Sequence, residues 1–476
     1  ETYGVEIARA FGTRVENCYF KEGGYGIYNF DAVLGSNSKI IRCYSQDVYQ
    51  SGFRLRNGNN LIQDTWSVTT LQTLNSGTDY YISINGGEVG TNNAVLDCYV
   101  RRFPTMSHNG HGISLKANQD ATDPDSTIEH ALVENNNVID NRGGVEFRHS
   151  QVRYCVARNN IIEGINEPVK VIGTHFRDGA SYNTFENNIV KNGNMGVRFH
   201  NSGEDASTDG AKGGFENTVR NNVFDTMLNF VTADSGTSSN DNNFYHNTIL
   251  NVDDITNVTT TFTRNIFKNN IVQGGLTTDN SGTWSNTVFW DNSFASYGTN
   301  IEEVNPDLDA NYEPQATFST IQFGRITDIF YDKDGNERAD LTTAGSVNSA
   351  DEAVVENTGL KPIMTNFKIT NAYQTDVNFE TPLGYPDGIL ASDFTVQGKT
   401  VSSVTKINET SGYFTLSAPL TYYDNILIRK EAGNSTGCHD FTLQYIQNNI
   451  DQPTASTIRY VSDSGSGDGT SEGNAA

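Results

Sequence analysis

Two kinds of apolar–polar alternation recur along the first 300 or so residues. The first is a set of short strands, most of them announced by glycine. They read GVEIA (4–8), GIYNF (26–30), GFRLR (52–56), YISIN (81–85), GISLK (112–116), GVEFR (144–148), VKVI (169–172), GVRFH (196–200) and FVTAD (230–234). Alternation of this kind puts successive side chains on opposite faces of a strand. One face then carries Val5, Ile27, Phe53, Ile82, Ile113, Val145, Val169, Val197 and Val231, which predicts the core. The second pattern is an octet with an apolar residue set between asparagines. It occurs as NTFENNIV from Asn183, NTVRNNVF from Asn217, NNFYHNTI from Asn242 and NIFKNNIV from Asn265. Its later asparagines, Asn188, Asn222, Asn247 and Asn270, step by 34, 25 and 23 residues. Upstream the same slot holds Asn136 and Asn160, and earlier Cys18, Cys43, Thr65 and Cys98; downstream it reaches Asn292.

Strand, corner, strand, corner, with a basic period near 22–25 residues, describes one coil of a right-handed parallel β-helix. A single coil cannot bury its inner face, so stacked coils must build one continuous core. Strands of successive coils stack at about 4.8 Å, so equivalent residues lie over one another. Asparagine is a poor strand former and is costly to bury alone. In a stack, each amide can bond to the amides above and below. The octets therefore read as architecture, with Phe185, Val219, Phe244 and Phe267 filling the core beside them. A leucine-rich repeat would show its own consensus, and a propeller would need about 40 or more residues per blade.

The ladder, the G-V-x-F strands and a segment NPDLDANYEPQATFSTIQFG…DKDGNERADLTTAGSV (305–347) resemble secreted β-helix proteins of the pectate-lyase-like superfamily. The resemblance covers roughly 1–350 and implies the fold, with 305–347 as its terminal turn. It implies no single activity, since that superfamily hosts lyases, hydrolases, epimerases, adhesins and phage tailspikes. After about 350 the ladder stops. Residues 351–452 read as seven or so short strands with turn signals between them, the spacing of a β-sandwich. They resemble the Ig-like spacer modules of bacterial surface proteins. Residues 453–476 resemble the opening of another β-helix. Through Tyr460 and Val461 this last stretch could complete the first coil of a next molecule, a head-to-tail contact that propagates a filament. A longer repeated chain and a plain Gly/Ser-rich terminus are the other readings. The expected fold class is thus all-β: a right-handed parallel β-helix with a C-terminal Ig-like β-sandwich.

Charge changes the picture at one place. The 476-residue chain carries a formal net charge of −25, which disfavours nucleic acid and anionic membrane as partners. No apolar run is long enough to span a membrane. Yet the outward positions of the first strand set gather Arg54, Arg56, Lys116, Arg148, Lys170, Arg198 and His200 around Glu146, with His149 and His175 at the corner. Like charges on adjacent strands repel, so the column asks for anions or carboxylates. An acidic polysaccharide would supply them. As a catalytic set for β-elimination on a uronate, Lys116, Arg148, Lys170, Arg198 and His200 offer cations and proton carriers. As a glycan-contact set, Arg54, Arg56, Glu146, His149 and His175 are the candidates. A solvated face of mutual ion pairs is the bland alternative. Asp120, Asp123, Asp125, Glu204, Asp205 and Asp209 lie in two loops near one edge and could hold Ca²⁺, the candidate cofactor, through oxygen ligands. DKDGNER (332–338) is only a partial Ca²⁺ loop.

The five cysteines show no CxxC or zinc spacing and read as free packing thiols. The leading expectation is an extracellular or cell-surface fibre component, bacterial in style, with a glycan-facing side. The alternative is a secreted polysaccharide lyase or related carbohydrate-active enzyme, and a phage tailspike is a third reading.

Overall fold

The structure is a computed structural model. It describes residues 3–7, 11–29, 37–70, 80–87, 90–103, 110–117, 126–166, 168–203, 212–234, 238–258, 262–274, 282–290, 298–303, 305–314, 322–324, 341–343, 363–371, 374–380, 391–396, 398–408, 411–420, 426–430 and 443–446. Contacts divide the chain into two units, Glu1–Leu360 and Lys361–Ala476. The boundary expected near 350 falls outside the described residues, as do Asn292, Cys438 and all of 453–476.

The first unit is a parallel β-helix. Its early coils contribute three strands each, and each strand pairs in parallel with its equivalent in the next coil; from Ile128–Glu129 on, a separate four-stranded parallel sheet is added, and from Ile189–His200 on, two faces merge into one long strand. The first face runs through Arg14–Glu16, Lys39–Ile41, Leu61–Gln63, Ala94–Leu96 and Leu132–Glu134. The second runs through Tyr19–Lys21, Tyr44–Gln46, Trp66–Val68, Tyr99–Arg101 and Asn137–Ile139. The third holds Ser51–Arg56, Tyr80–Asn85, His111–Lys116, Gly143–Arg148 and Ile172–Arg177.

The asparagine doublets explain the corner between the first two faces. The leading residue takes the left-handed conformation: Asn135, Asn159, Asn187, Asn221 and Asn269 have φ between 55° and 58°, a region asparagine tolerates better than most L-residues. The trailing residue turns inward. From Asn136 through Asn160, Asn188, Asn222, Asn247 and Asn270, each backbone N–H and each side-chain Nδ2 donates to the Oδ1 of the next rung at 2.8–3.1 Å. Each Nδ2 also donates to a backbone carbonyl inside the coil. A second ladder runs through Asn183, Asn217, Asn242 and Asn265. Phe185, Val219, Phe244 and Phe267 between the ladders are fully buried, as the octets require.

In the early coils the slot holds Cys43, Thr65 and Cys98, whose small side chains bond locally: the Cys98 thiol reaches Leu96 O at 3.1 Å and Thr65 Oγ1 at 3.3 Å. Cys18, Cys43, Cys98 and Cys155 are free. Burial pushes the Cys43 thiol up to about 11 and those of Cys98 and Cys155 up to about 12, so these sulfurs are packing groups. Of the predicted terminal turn, residues 305–314 are anchored on the helix: the Tyr312 hydroxyl donates to Asp225 Oδ2 at 3.1 Å and Lys191 Nζ lies over its ring.

In the second unit seven described strands pair antiparallel, in the order Ile363–Asn371, Gln374–Glu380, Ser411–Leu416, Lys399–Asn408, Phe394–Val396, Ile426–Lys430 and Leu443–Ile446. Phe394, Val396, Phe414, Ile426 and Ile428 form its own apolar core.

Candidate functional site

The third face positions the charged column, and its register corrects the sequence reading at one coil. VKVI is not the strand there. Pro168–Lys170 is a short 3-10 turn, and the strand is Ile172–Arg177. Lys170 therefore leaves the column, and its slot opposite Glu146 is taken by His175. His175 is thus mid-strand and not at a corner. The next outward slot, beside Arg148, is taken by Arg177. Arg198 and His200 continue the two rows from the following coil. The signal was present in the chain: G-T-H-F-R (173–177) matches G-V-E-F-R (144–148) and G-V-R-F-H (196–200) position by position. The phenylalanines of that match, Phe147, Phe176 and Phe199, stack inside at 5.2 and 5.5 Å between centroids.

Glu146 is the hub. It points away from the apolar core yet is 0% exposed. The Ser114 hydroxyl donates to its Oε2 at 2.8 Å and Arg177 Nη1 donates to its Oε1 at 3.4 Å. His111 Nδ1 and His175 Nδ1 stand 3.8 and 3.7 Å from the same Oε1. His111 was not among the sequence candidates; it leads the strand of Ser114 and reaches across the next coil because Gly143 is its register partner. Its ring stacks with Tyr80 on one side and His175 on the other. The Arg148 guanidinium donates to the Tyr80 hydroxyl. Asp178, equally buried, lies 3.1 Å from Arg177 Nε and 3.7 Å from Arg148 Nε.

These contacts set the charges. Burial lowers the basicity of His111 and His175, more than Glu146 raises it, and the neighbouring arginines add to the fall. Both rings are held neutral at pH 7. Burial alone would raise Glu146, but the positive charge around it holds its carboxyl well below the usual range; Arg148 and Arg177 are the permanent part of that charge. Three coils on from Glu146, burial again opposes ionisation of Asp234, and hydrogen bonds from His200 and Arg198 outweigh it, bringing the carboxyl to about 2. Arg198 Nη2 donates to Asp234 Oδ2 at 2.5 Å and His200 Nδ1 meets the same oxygen.

The other candidates are dispersed. Lys116 lies half-buried beside Arg148. Arg54 and Arg56 sit three coils before Glu146, with Arg54 over the Tyr28 ring at 5.4 Å. His149 is buried at the corner with φ 82°. Asp120, Asp123, Asp125, Glu204, Asp205, Asp209 and the 332–338 motif lie outside the described residues.

A feature the charge pattern did not signal lies on the second face. Tyr19, Tyr44, Trp66 and Tyr99 are register partners on four successive coils. Their ring centroids are 5.3, 6.0 and 5.2 Å apart. Tyr19 is 58% and Trp66 51% exposed. A cavity of about 590 Å³ opens beside the last three rings, walled also by Thr70, Arg101 and Phe103. In sequence the row is the residue after each ladder slot: C-Y, C-Y, T-W, C-Y.

No protein-family model matches this chain, and no curated protein matches it. Solved structures that it resembles include the complex of XylC with xylose, at 9% identity and a TM-score of 0.41 over 63% of this chain and 67% of that one. A double mutant of the tailspike protein of E. coli bacteriophage HK620 aligns at 12% identity and a TM-score of 0.37, over 87% and 84% of the two chains. The same tailspike in complex with a pentasaccharide aligns at 12% and 0.34, over 90% and 69%.

Proposed function

We propose that the chain is a carbohydrate-binding surface component whose β-helix takes a glycan along its second face. The observation that carries this reading is the row Tyr19, Tyr44, Trp66 and Tyr99 beside a cavity, with Tyr19 and Trp66 exposed and Tyr44 and Tyr99 half-buried. Aromatic rings present electron-rich faces, and the C–H faces of pyranose rings complement them. Aromatic rings clustered at a surface mark a contact site, and a concave aromatic wall with a few polar groups is the usual form of one. Arg101 and Thr70 at the rim supply hydrogen-bond partners, and Arg101 favours an acidic sugar. The second unit, with its antiparallel strands, fits the predicted Ig-like spacer carrying such a helix at a cell surface. The head-to-tail fibre would draw on residues outside those described.

Trp66 makes the test direct. The chain has three tryptophans, and of these Trp284 is buried and Trp290 only partly exposed. Titration with neutral and acidic polysaccharides should shift the Trp66 emission, and Trp66→Ala should weaken binding at least about tenfold, the loss of one well-packed aromatic contact. Silence across both classes of glycan would sink the reading.

The lyase reading keeps one supporting observation, the partly exposed Arg198–His200–Asp234 group. It expects ultraviolet-absorbing unsaturated uronate ends to accumulate from an acidic polysaccharide, and His200→Ala to abolish them.

A further inference from the structure

We propose that His111, Glu146 and His175 form a binding site for a divalent first-row transition ion of the Zn²⁺ class. Three successive coils each supply one donor, and the donor atoms lie within 4.8 Å of one another. Two imidazoles and one carboxylate are a ligand set that such ions take. Nitrogen donors also set this place apart from an all-oxygen Ca²⁺ site.

Two observations beyond the cluster point to an occupant. His175 is 1% exposed, and neither of its ring nitrogens has a hydrogen-bond partner among the described residues; nor does His111 Nδ1. Buried polar atoms are otherwise satisfied in nearly all proteins. The second observation is a steric constraint. A Cβ on Gly143 would fall 2.6 Å from His111 Nδ1, so it is a glycine in the following coil that lets this ring lie where its Nδ1 comes near Glu146. At metal–ligand bonds of about 2.0–2.1 Å, tetrahedral donors stand about 3.3 Å apart. The observed 3.7 and 3.8 Å to Glu146 Oε1 thus need a contraction of about half an ångström. Arg177 competes for Oε1, but its Nε already pairs with Asp178, which retains it when the ion enters. Ser114 holds the other carboxylate oxygen, the kind of outer contact that orients a ligand.

This inference does not depend on the glycan reading, which lies on another face. The test uses the full chain, stripped with a chelator and dialysed against Zn²⁺ alone, with Co²⁺ as the optical probe. One equivalent of Zn²⁺ per chain and visible Co²⁺ bands are expected. Gly143→Ala keeps all three ligands and should still lower affinity at least about tenfold, as should His175→Leu, by loss of ligand placement or of a ligand. His130→Ala, at a distant corner, should leave it unchanged. Absence of stoichiometric uptake by the folded wild type, or uptake indifferent to both site variants, overturns the proposal. Since a buried substitution can unfold a coil, X-ray absorption on the Zn²⁺-loaded wild type decides that case. Two imidazoles with a carboxylate support the site; a shell of sulfur or of water alone overturns it.

Discussion

The asparagine ladders and the charged column are built on the same coils and obey the same stacking, yet they end in opposite states. In the ladder each inner rung is satisfied by the rung above, the rung below and a backbone carbonyl. In the column, both ring nitrogens of His175 and Nδ1 of His111 stand near a carboxylate without hydrogen bonds among the described residues, and guanidinium groups crowd two acids. The ladder converts a costly burial into structure. The column leaves polar capacity unspent, which is the signature of a place kept for something else. An amide can serve because it donates and accepts at once, so identical residues complement each other along a stack. Stacked cations cannot, and each needs a partner of a different kind.

Substitutions can break or sharpen that contrast. The largest effect is expected at Asn222→Leu. Its side chain accepts two bonds from Asn188 and donates to Phe185 O and Asn247 Oδ1. Losing these while stranding their buried partners should cost about 4 kcal/mol in urea unfolding; a loss under about 1 kcal/mol would show that the ladder is decorative. Next comes Asp234→Asn. The folded carboxyl lies near 2 and the unfolded one near 3.9. Its stabilisation is thus present above about pH 4 and fades as pH falls through 2. Because the group is partly exposed, the effect at neutral pH should be only about 1 kcal/mol, and the variant's melting temperature should fall less steeply below pH 4. His175→Leu should run the other way from the ladder: stability unchanged or raised by up to about 1 kcal/mol, because an unsatisfied buried ring gives way to an apolar one. A marked destabilisation would place His175 with the structural residues. The smallest effect is expected at Trp66→Ala, within about 0.5 kcal/mol for an exposed side chain, measured in the same urea titration that the ladder variant fails.

Much of this was legible before any coordinates. The coil period, the inward Phe185, Val219, Phe244 and Phe267, and the ladder slots through Cys43, Thr65 and Cys98 all follow from repetition. Glu146, Arg148, Arg198 and His200 were placed correctly on one outward face. At VKVI apolar alternation points to the wrong strand, and the G-x-x-F-x match at 173–177 points to the right one. Arg177 and the mid-strand placing of His175 go with the latter. His111 escaped because its importance depends on Gly143 in the following coil.

Sequence by itself determined the repeat and the role of its asparagines, because stacking makes each coil's pattern answer only to its neighbours, and identical residues in register announce themselves. Only the tertiary structure decided that outward-facing charges would be buried, that four aromatic rings would form a partly exposed row, and that His111, Glu146 and His175 would meet. The match of 173–177 to 144–148 sets His175 over Glu146, but His111, three residues before the equivalent slot at Ser114, is recorded by no spacing. The convergence of the three exists only once the coils are stacked.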